Sequence, residues 1–312
     1  MLRATAISPP QSTNSVLMIR PQRFYPNPET AADNAFQSRA MRDSEWTAAA
    51  RNEFDAAVNT LRHAGVNVHA FDDTAEPEKP DAVFPNNWIS THHDGRVALF
   101  PMYSASRRSE RRHDIVDELR KSYRITEVID YAHFEEHGFC LEGTGSLVLD
   151  HVNRIAYISL SNRSNPKLIE RFAEDFGYDP VTFTSIGPDG HPIYHTNVMM
   201  CVGTNFALVG FDTISNESEK EHVRGRLEST GKQIIELEPD QVANFAGNAI
   251  ELDNGHGDKL LVASARAITA FDERQRRILR QHVTLVPLEL PTIELGGGSA
   301  RCMIAEIHLP PL

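Results

Sequence analysis

Short apolar runs alternate with longer amphipathic stretches from one end of the chain to the other. VLMIR, from Val16 to Arg20, is four apolar residues closed by a cation and reads as a buried strand. A polar, Pro-punctuated loop follows, PQRFYPNPET, and then a helical stretch in which Phe54, Val58 and Leu61 recur at spacings of four and three. Gly65 ends that helix and VNVHAF begins the next strand. The rhythm repeats with the strand RVALF and the helix RRHDIVDELRKSY, which turns Ile115, Val116 and Leu119 inward. GSLVLD and RIAYISL read as a hairpin followed by the helix NPKLIERFAEDFG. NVMMCVG and NFALVGF read as another pair followed by the charged helix ESEKEHVRGRLESTG. The strands QIIEL, NAIEL and KLLVAS, the helix DERQRRILRQH, the strand VTLVPL and finally MIAEI complete the chain.

This is a string of about five strand–strand–helix–strand units, which predicts an α/β fold. The units share no visible sequence identity, so the repeat is structural. No break in composition marks a linker, and EPEKP reads as a loop. The pattern predicts a single domain over 15–312 after a disordered lead over 1–14. That lead, MLRATAISPPQSTN, has neither the apolar run of a secretory signal nor that of a membrane anchor. A cytoplasmic protein that spans no membrane is expected.

Charge and cysteine usage narrow the partners. The 43 acidic residues outnumber the 31 basic ones, a formal charge of −12 with the 14 histidines neutral. Such a surface disfavours phosphate backbones, so nucleic acid is not an expected partner. A small cationic or zwitterionic substrate fits. Three cysteines without paired spacing argue against a disulfide framework and for a reducing compartment. No CxxC or HExxH spacing occurs. The pair His92–His93 is the best metal alternative but has no third ligand at a recognisable spacing, so neither metal nor cofactor is expected. The oligomeric state is not legible.

Three residues stand out as carriers of chemistry. Cys302 follows GGGSAR, where glycines let the backbone bend and approach a ligand, turn amides can stabilise developing charge, and Arg301 can lower a thiol pKa. Cys140 and Cys201, in strand-like apolar surroundings, read as buried structural residues. A thiolate nucleophile needs a proton-transfer partner. His195, in HPIYHTNVMMCVG, stands at the entrance to an apolar strand, where sites in α/β folds form. Glu142 sits between Leu141 and Gly143 in FCLEGTGSLVLD, an apolar setting for a carboxylate unless it has a partner. It is placed to orient a histidine or to hold a cation.

With these motifs together, LEGTGSLVLD…RIAYISLSNRSNP, YHTNVMM and GGGSARCM, the chain resembles the guanidino-group-modifying superfamily, the penteins. The resemblance runs from Val16 to Cys302 and is closest to the dimethylarginine dimethylaminohydrolase-like branch that includes citrulline-utilization hydrolases. It implies a five-bladed α/β propeller with pseudo-fivefold symmetry of ββαβ-type units. It implies Cys302 as nucleophile, His195 as general acid and base, and Glu142 as the acid aligned with that histidine. It places Asn86 and Asn87, in VFPNNWIS, where relatives hold the guanidinium. It assigns Arg107, in SASRRSERR, and Arg163, in SLSNRSNP, to the substrate carboxylate. The PQRFYPN loop becomes a lid over the pocket.

One departure bears on the substrate. Where the family's histidine motif often carries an acid two residues on, this chain has Asn197. With Asn86 and Asn87 it leaves the guanidinium-holding carboxylates depleted. A buried guanidinium without carboxylates costs several kcal/mol. A ureido group is neutral, and an asparagine amide matches both its carbonyl and its N–H groups. The expectation is a cysteine hydrolase of arginine-derived amino acids, with citrulline as the favoured small-molecule substrate, giving ornithine, carbon dioxide and ammonia. Glu142 or Asp81 leaves the cationic alternatives open: an arginine deiminase or dimethylarginine dimethylaminohydrolase giving citrulline. An amidinotransferase using an amine acceptor, or a non-catalytic binding protein on the same scaffold, also stays open.

Overall fold

The computed structural model describes residues 9–31, 33–38, 45–187 and 190–312. Among the described residues, fifteen strands form five three-stranded sheets. Strand β1 (Ser15–Arg20) pairs in parallel with β2 (Asn67–Asp72). The second sheet holds β3 (Ile89–Thr91), β4 (Arg96–Leu99) and β5 (Glu127–Asp130); the third holds β6 (Val148–Asp150), β7 (Ile155–Ser159) and β8 (Asp179–Phe183). The fourth is built from β9 (Met200–Val202), β10 (Phe206–Val209) and β11 (Gln233–Glu236); the fifth from β12 (Ile250–Asp253), β13 (Lys259–Ser264) and β14 (Thr284–Leu288). The last strand, β15 (Ala305–Glu306), returns to pair antiparallel with β1 and completes the first sheet.

Every sheet therefore has one plan: a first strand antiparallel to the second, then a connection to a third strand parallel to the second. The first strands touch one another between sheets, β15 with β3, β6 with β9, and β9 with β12. The connecting helices are locally encoded. Asn165 accepts a hydrogen bond from Lys167 N, and with Pro166 in the first turn it starts the helix Pro166–Phe176. That helix buries Leu168, Ile169, Phe172, Ala173 and Phe176, each large side chain contributing about 2 kcal/mol. Asn216 caps the helix Glu217–Ser229 in the same way.

Three strands were hidden in the apolar pattern. β3 is only three residues long and carries Ser90 and Thr91, and β5 begins on an exposed Glu127. β8 carries Pro180, which a sheet tolerates only at an edge such as this one. The expected disordered lead is corrected over residues 9–14. Gln11 is buried, donates through Nε2 to the carbonyls of Leu149 (2.9 Å) and Val202 (3.1 Å), and accepts from His151 N. Its amide satisfies strand ends that would otherwise be orphaned, which fixes this stretch. Residues 1–8 lie outside the described residues. Among the described residues no helix is long and apolar enough to cross a membrane.

Candidate active site

The turns that lead into the first strands bring the chemistry together. Asn86 and Asn87 precede β3, Glu142 precedes β6, His195 and Asn197 precede β9, Asn248 precedes β12, and Cys302 precedes β15. Residues from five distant segments thus meet, and Asn87, His195 and Cys302 face one cavity together with Asp81, Arg107 and Arg163.

Cys302 is 2% exposed, and its neighbours Met303 and Ile304 are buried in the cluster that holds Phe24 and Phe84. Two amides point at its sulfur: Asn248 Nδ2 at 3.2 Å and Asn197 Nδ2 at 3.5 Å. The glycine turn serves shape. Gly297 sits at φ +82°, and a Cβ there would lie 2.3 Å from Asn34 Nδ2. The backbone N–H groups of Cys302 and Met303 both donate to Ser299 O, so these two amides are engaged within the turn. Arg301 is not a partner of the thiol: its guanidinium binds Glu306 at 2.7 Å and Ile304 O at 2.8 Å. The other two thiols are inert, since burial pushes both Cys140 and Cys201 up to about 12.

His195 Nε2 lies 2.8 Å from Glu142 Oε2, both side chains buried. Burial would raise the Glu142 carboxyl, but Arg163 at 3.3 Å, the His195 hydrogen bond and Arg107 at 3.6 Å hold it well below the usual carboxylate range. Its other oxygen accepts from Tyr103 N at 2.9 Å. Burial pushes His195 down to about 4 despite the carboxylate beside it, so the ring rests neutral and able to take a proton. Gly145 makes room for it: a Cβ there would stand 2.7 Å from His195 Nδ1 and 2.4 Å from Asn87 Nδ2. No hydrogen bond joins His195 to Cys302; both line the cavity.

Arg107 and Arg163 line the cavity, but carboxylates of the chain already grip both. Glu110 takes Arg107 through two 2.9 Å hydrogen bonds, and Asp33 takes Arg163 at 2.6 and 3.1 Å. Asp33, Thr30 and Asn34 belong to the loop after β1, and Asn27 of that loop donates to Asp81 Oδ2 at 2.8 Å. The loop closes the cavity to about 20 Å³, room for roughly one water molecule. Burial raises the Asp81 carboxyl, with Arg107 3.6 Å away opposing it. Asn87 lines the cavity with its Nδ2 unpartnered. Asn86 is not in the wall, although both side-chain atoms are buried without a hydrogen-bond partner.

Sequence reasoning missed Asn248, Asp33, Glu110 and Tyr194, whose hydroxyl donates to Gly297 O and whose ring underlies Arg163. For Asn248 a signal existed. NNWIS, TNVMM and GNAIE each place an asparagine just ahead of a first strand, as RCMIA places Cys302. Among the described residues, one group of three ligating side chains could hold a metal ion: His93, His151 and His308, away from this cavity.

Comparison with known proteins agrees with this architecture. No curated protein sequence matches the chain. The N-terminal domain of ArgZ with product bound, an arginine dihydrolase from the ornithine-ammonia cycle in cyanobacteria, superposes with a TM-score of 0.76. It is 16% identical over 95% of this chain and 98% of its own. Intact apo ArgZ gives 0.74 at 17% identity over 96% of this chain and 41% of its own. A histidine-to-glycine variant of dimethylarginine dimethylaminohydrolase, as its adduct with S-methyl-L-thiocitrulline, gives 0.63 at 16% identity, covering 94% and 98%. At such identities the likeness is one of fold. The family model for N,N-dimethylarginine dimethylhydrolase, eukaryotic, matches residues 20–309. With its mixed α/β sheets and its sequence both accounted for, the chain belongs to the N,N-dimethylarginine dimethylhydrolase family of the guanidino-group-modifying, or pentein, superfamily.

Proposed function

We propose that this chain is a cysteine-dependent hydrolase of carbon–nitrogen bonds in arginine-derived amino acids, acting on the neutral ureido group of citrulline. Residues 15–312 act as one catalytic domain, and the five sheets, touching through their first strands, are the blades of a propeller with the cavity at one end of its axis.

The observation that carries the substrate assignment is the amide-rich lining. Asn197 and Asn248 stand at the sulfur, and Asn87 offers a buried amide nitrogen without a partner. Glu142 is already matched by Arg163, Arg107 and His195. A ureido carbonyl accepts from such amides without bringing in a charge, whereas a guanidinium would need carboxylates.

In this reading Cys302 Sγ attacks the ureido carbon, and the sulfur–carbon bond forms as the C–N bond breaks. His195 receives the thiol proton and passes it to the departing alkyl amine, releasing ornithine and leaving a carbamoyl thioester. Glu142 keeps the ring oriented and stabilises its charged form. Water, deprotonated by His195, then cleaves the thioester; carbamate departs and decomposes to carbon dioxide and ammonia. Arg163 takes the substrate carboxylate in place of Asp33 once the loop after β1 opens, and Arg107 supports that positive end of the pocket.

Asp81 favours a second reading. A buried carboxylate whose pKa is raised by desolvation gains from a guanidinium, and ArgZ and dimethylarginine dimethylaminohydrolase are named for such substrates. Separate incubations with citrulline, arginine and methylated arginines, with products read by mass spectrometry, decide between them. Ornithine from citrulline is expected. Citrulline from arginine or its methylated forms, with citrulline itself inert, would overturn the ureido assignment. Added glycine or ornithine leaves the product pattern unchanged for a hydrolase and diverts it for an amidinotransferase.

A further inference from the structure

The opposite ends of the same first strands carry a second convergence. His93 follows β3, His151 follows β6 and His308 follows β15, so three sheets each send one imidazole to a common point. One nitrogen of each lies within 4.8 Å of the others. The ring of His308 stands 4.5 Å from that of His93 and 4.2 Å from that of His151, centroid to centroid. Neither ring nitrogen of His308, a residue 4% exposed, has a hydrogen-bond partner, and His93 Nε2 is also buried and unpartnered. Native proteins seldom leave buried polar atoms in this state.

We propose that His93, His151 and His308 bind a divalent transition-metal ion of the zinc class, at a site separate from the cysteine pocket. Three imidazoles without a thiolate suit zinc, cobalt, nickel or copper, and disfavour magnesium and calcium, which take oxygen ligands. Zinc–nitrogen bonds of about 2.0–2.1 Å bring ligand atoms roughly 3.3 Å apart, within reach of small ring rotations from the present spacing. One outer partner is in place: the Tyr178 hydroxyl lies 2.8 Å from His151 Nδ1, fixing which nitrogen that ring offers. Glu306 Oε1 stands 3.7 Å from His308 Nε2, beyond hydrogen-bond distance. An open cavity of about 660 Å³, lined among the described residues by His93, His308 and Tyr123, gives an ion a route in. The bound ion pins the segment after β15, six residues beyond Cys302, to the second and third sheets. It takes no part in cleavage.

The full chain carrying Cys302→Ala, which removes the pocket sulfur as a competing ligand, is titrated with cobalt(II) and followed by visible absorption. One equivalent is expected, with ligand-field bands and no sulfur charge-transfer band. Zinc alone should raise the melting temperature of this protein. His93→Gln in the same background, in a half-buried turn where folding is preserved, should weaken cobalt binding by roughly a hundredfold or more and abolish the zinc-dependent shift. His308→Asn should do the same. A parent that binds no equivalent of cobalt, or a folded H93Q protein that binds it as tightly as the parent, would overturn the proposal.

Discussion

Gly145→Ala tests the packing that positions His195, and Asn87 beside it, in the pocket. Gly145 has no left-handed backbone requirement, so alanine is tolerated by the chain itself; the conflict is purely steric. The new methyl would stand 2.7 Å from His195 Nδ1, 2.8 Å from its Cε1 and 2.4 Å from Asn87 Nδ2, where ordinary contact begins at 3.4 Å. The imidazole must therefore retreat by about 0.7 Å and the amide by about 1 Å to reach ordinary contact. His195 Nε2 is held at 2.8 Å by Glu142, so the ring pivots about that bond and swings its other edge away from the substrate. A misplacement of about 1 Å costs on the order of a hundredfold in rate. Steady-state kinetics on citrulline should show kcat reduced by about that factor, while overpacking lowers stability by about 1–3 kcal/mol. A folded G145A enzyme with wild-type kcat would refute the role given to His195.

The other expectations are more direct. Glu142→Gln should lower kcat by about 10² to 10⁴-fold with circular dichroism retained, and an unchanged rate would remove the carboxylate from the mechanism. It also leaves Arg163 and Arg107 short of a partner, so urea denaturation should show a loss of about 3–5 kcal/mol. Asn248→Asp puts a carboxylate where an amide now donates to the sulfur at 3.2 Å, so turnover should fall by about tenfold or more with the fold retained by circular dichroism. An unchanged rate would place Asn248 outside the reaction. Because His195 falls from its ordinary 6.5 to about 4 on folding, the unfolded chain binds a proton that the native one refuses between those values. Stability contributed by this group is complete above pH 6.5 and is lost as pH falls towards 4, on the order of 3 kcal/mol. His195→Gln should flatten that part of the stability profile, and an identical slope in both proteins would contradict it.

Much of this was legible before any coordinates, and for identifiable reasons. Buried strands such as VLMIR and KLLVAS are apolar on both faces, and amphipathic helices carry their own caps, as Asn165 and Pro166 do. Those signals are local. The apolar setting of Glu142 left two roles open and the family resemblance implied pairing with His195; the structure brings the two within 2.8 Å. What stayed hidden depends on tertiary pairing. Asn248 touches the sulfur only because the fourth and fifth sheets place their first strands side by side. Arg301 adjoins Cys302 in sequence, yet its side chain points to Glu306. The partners of His93, His151 and His308, lie 58 and 215 residues beyond it, where no spacing rule reaches. Gln11 read as part of a loose lead because nothing local marks two distant carbonyls as its acceptors.

The central claim is that Cys302 carries the substrate's carbon through a covalent intermediate formed from a ureido group. Acid-quenched turnover of citrulline, with digestion and mass analysis of the peptide containing Cys302, tests it directly. The account predicts a carbamoyl group on Cys302 during turnover, with ornithine accumulating and no adduct in the Cys302→Ala protein. Ornithine accumulating while Cys302 stays unmodified, or turnover persisting in Cys302→Ala, would contradict the nucleophile. No ornithine at all would contradict the substrate.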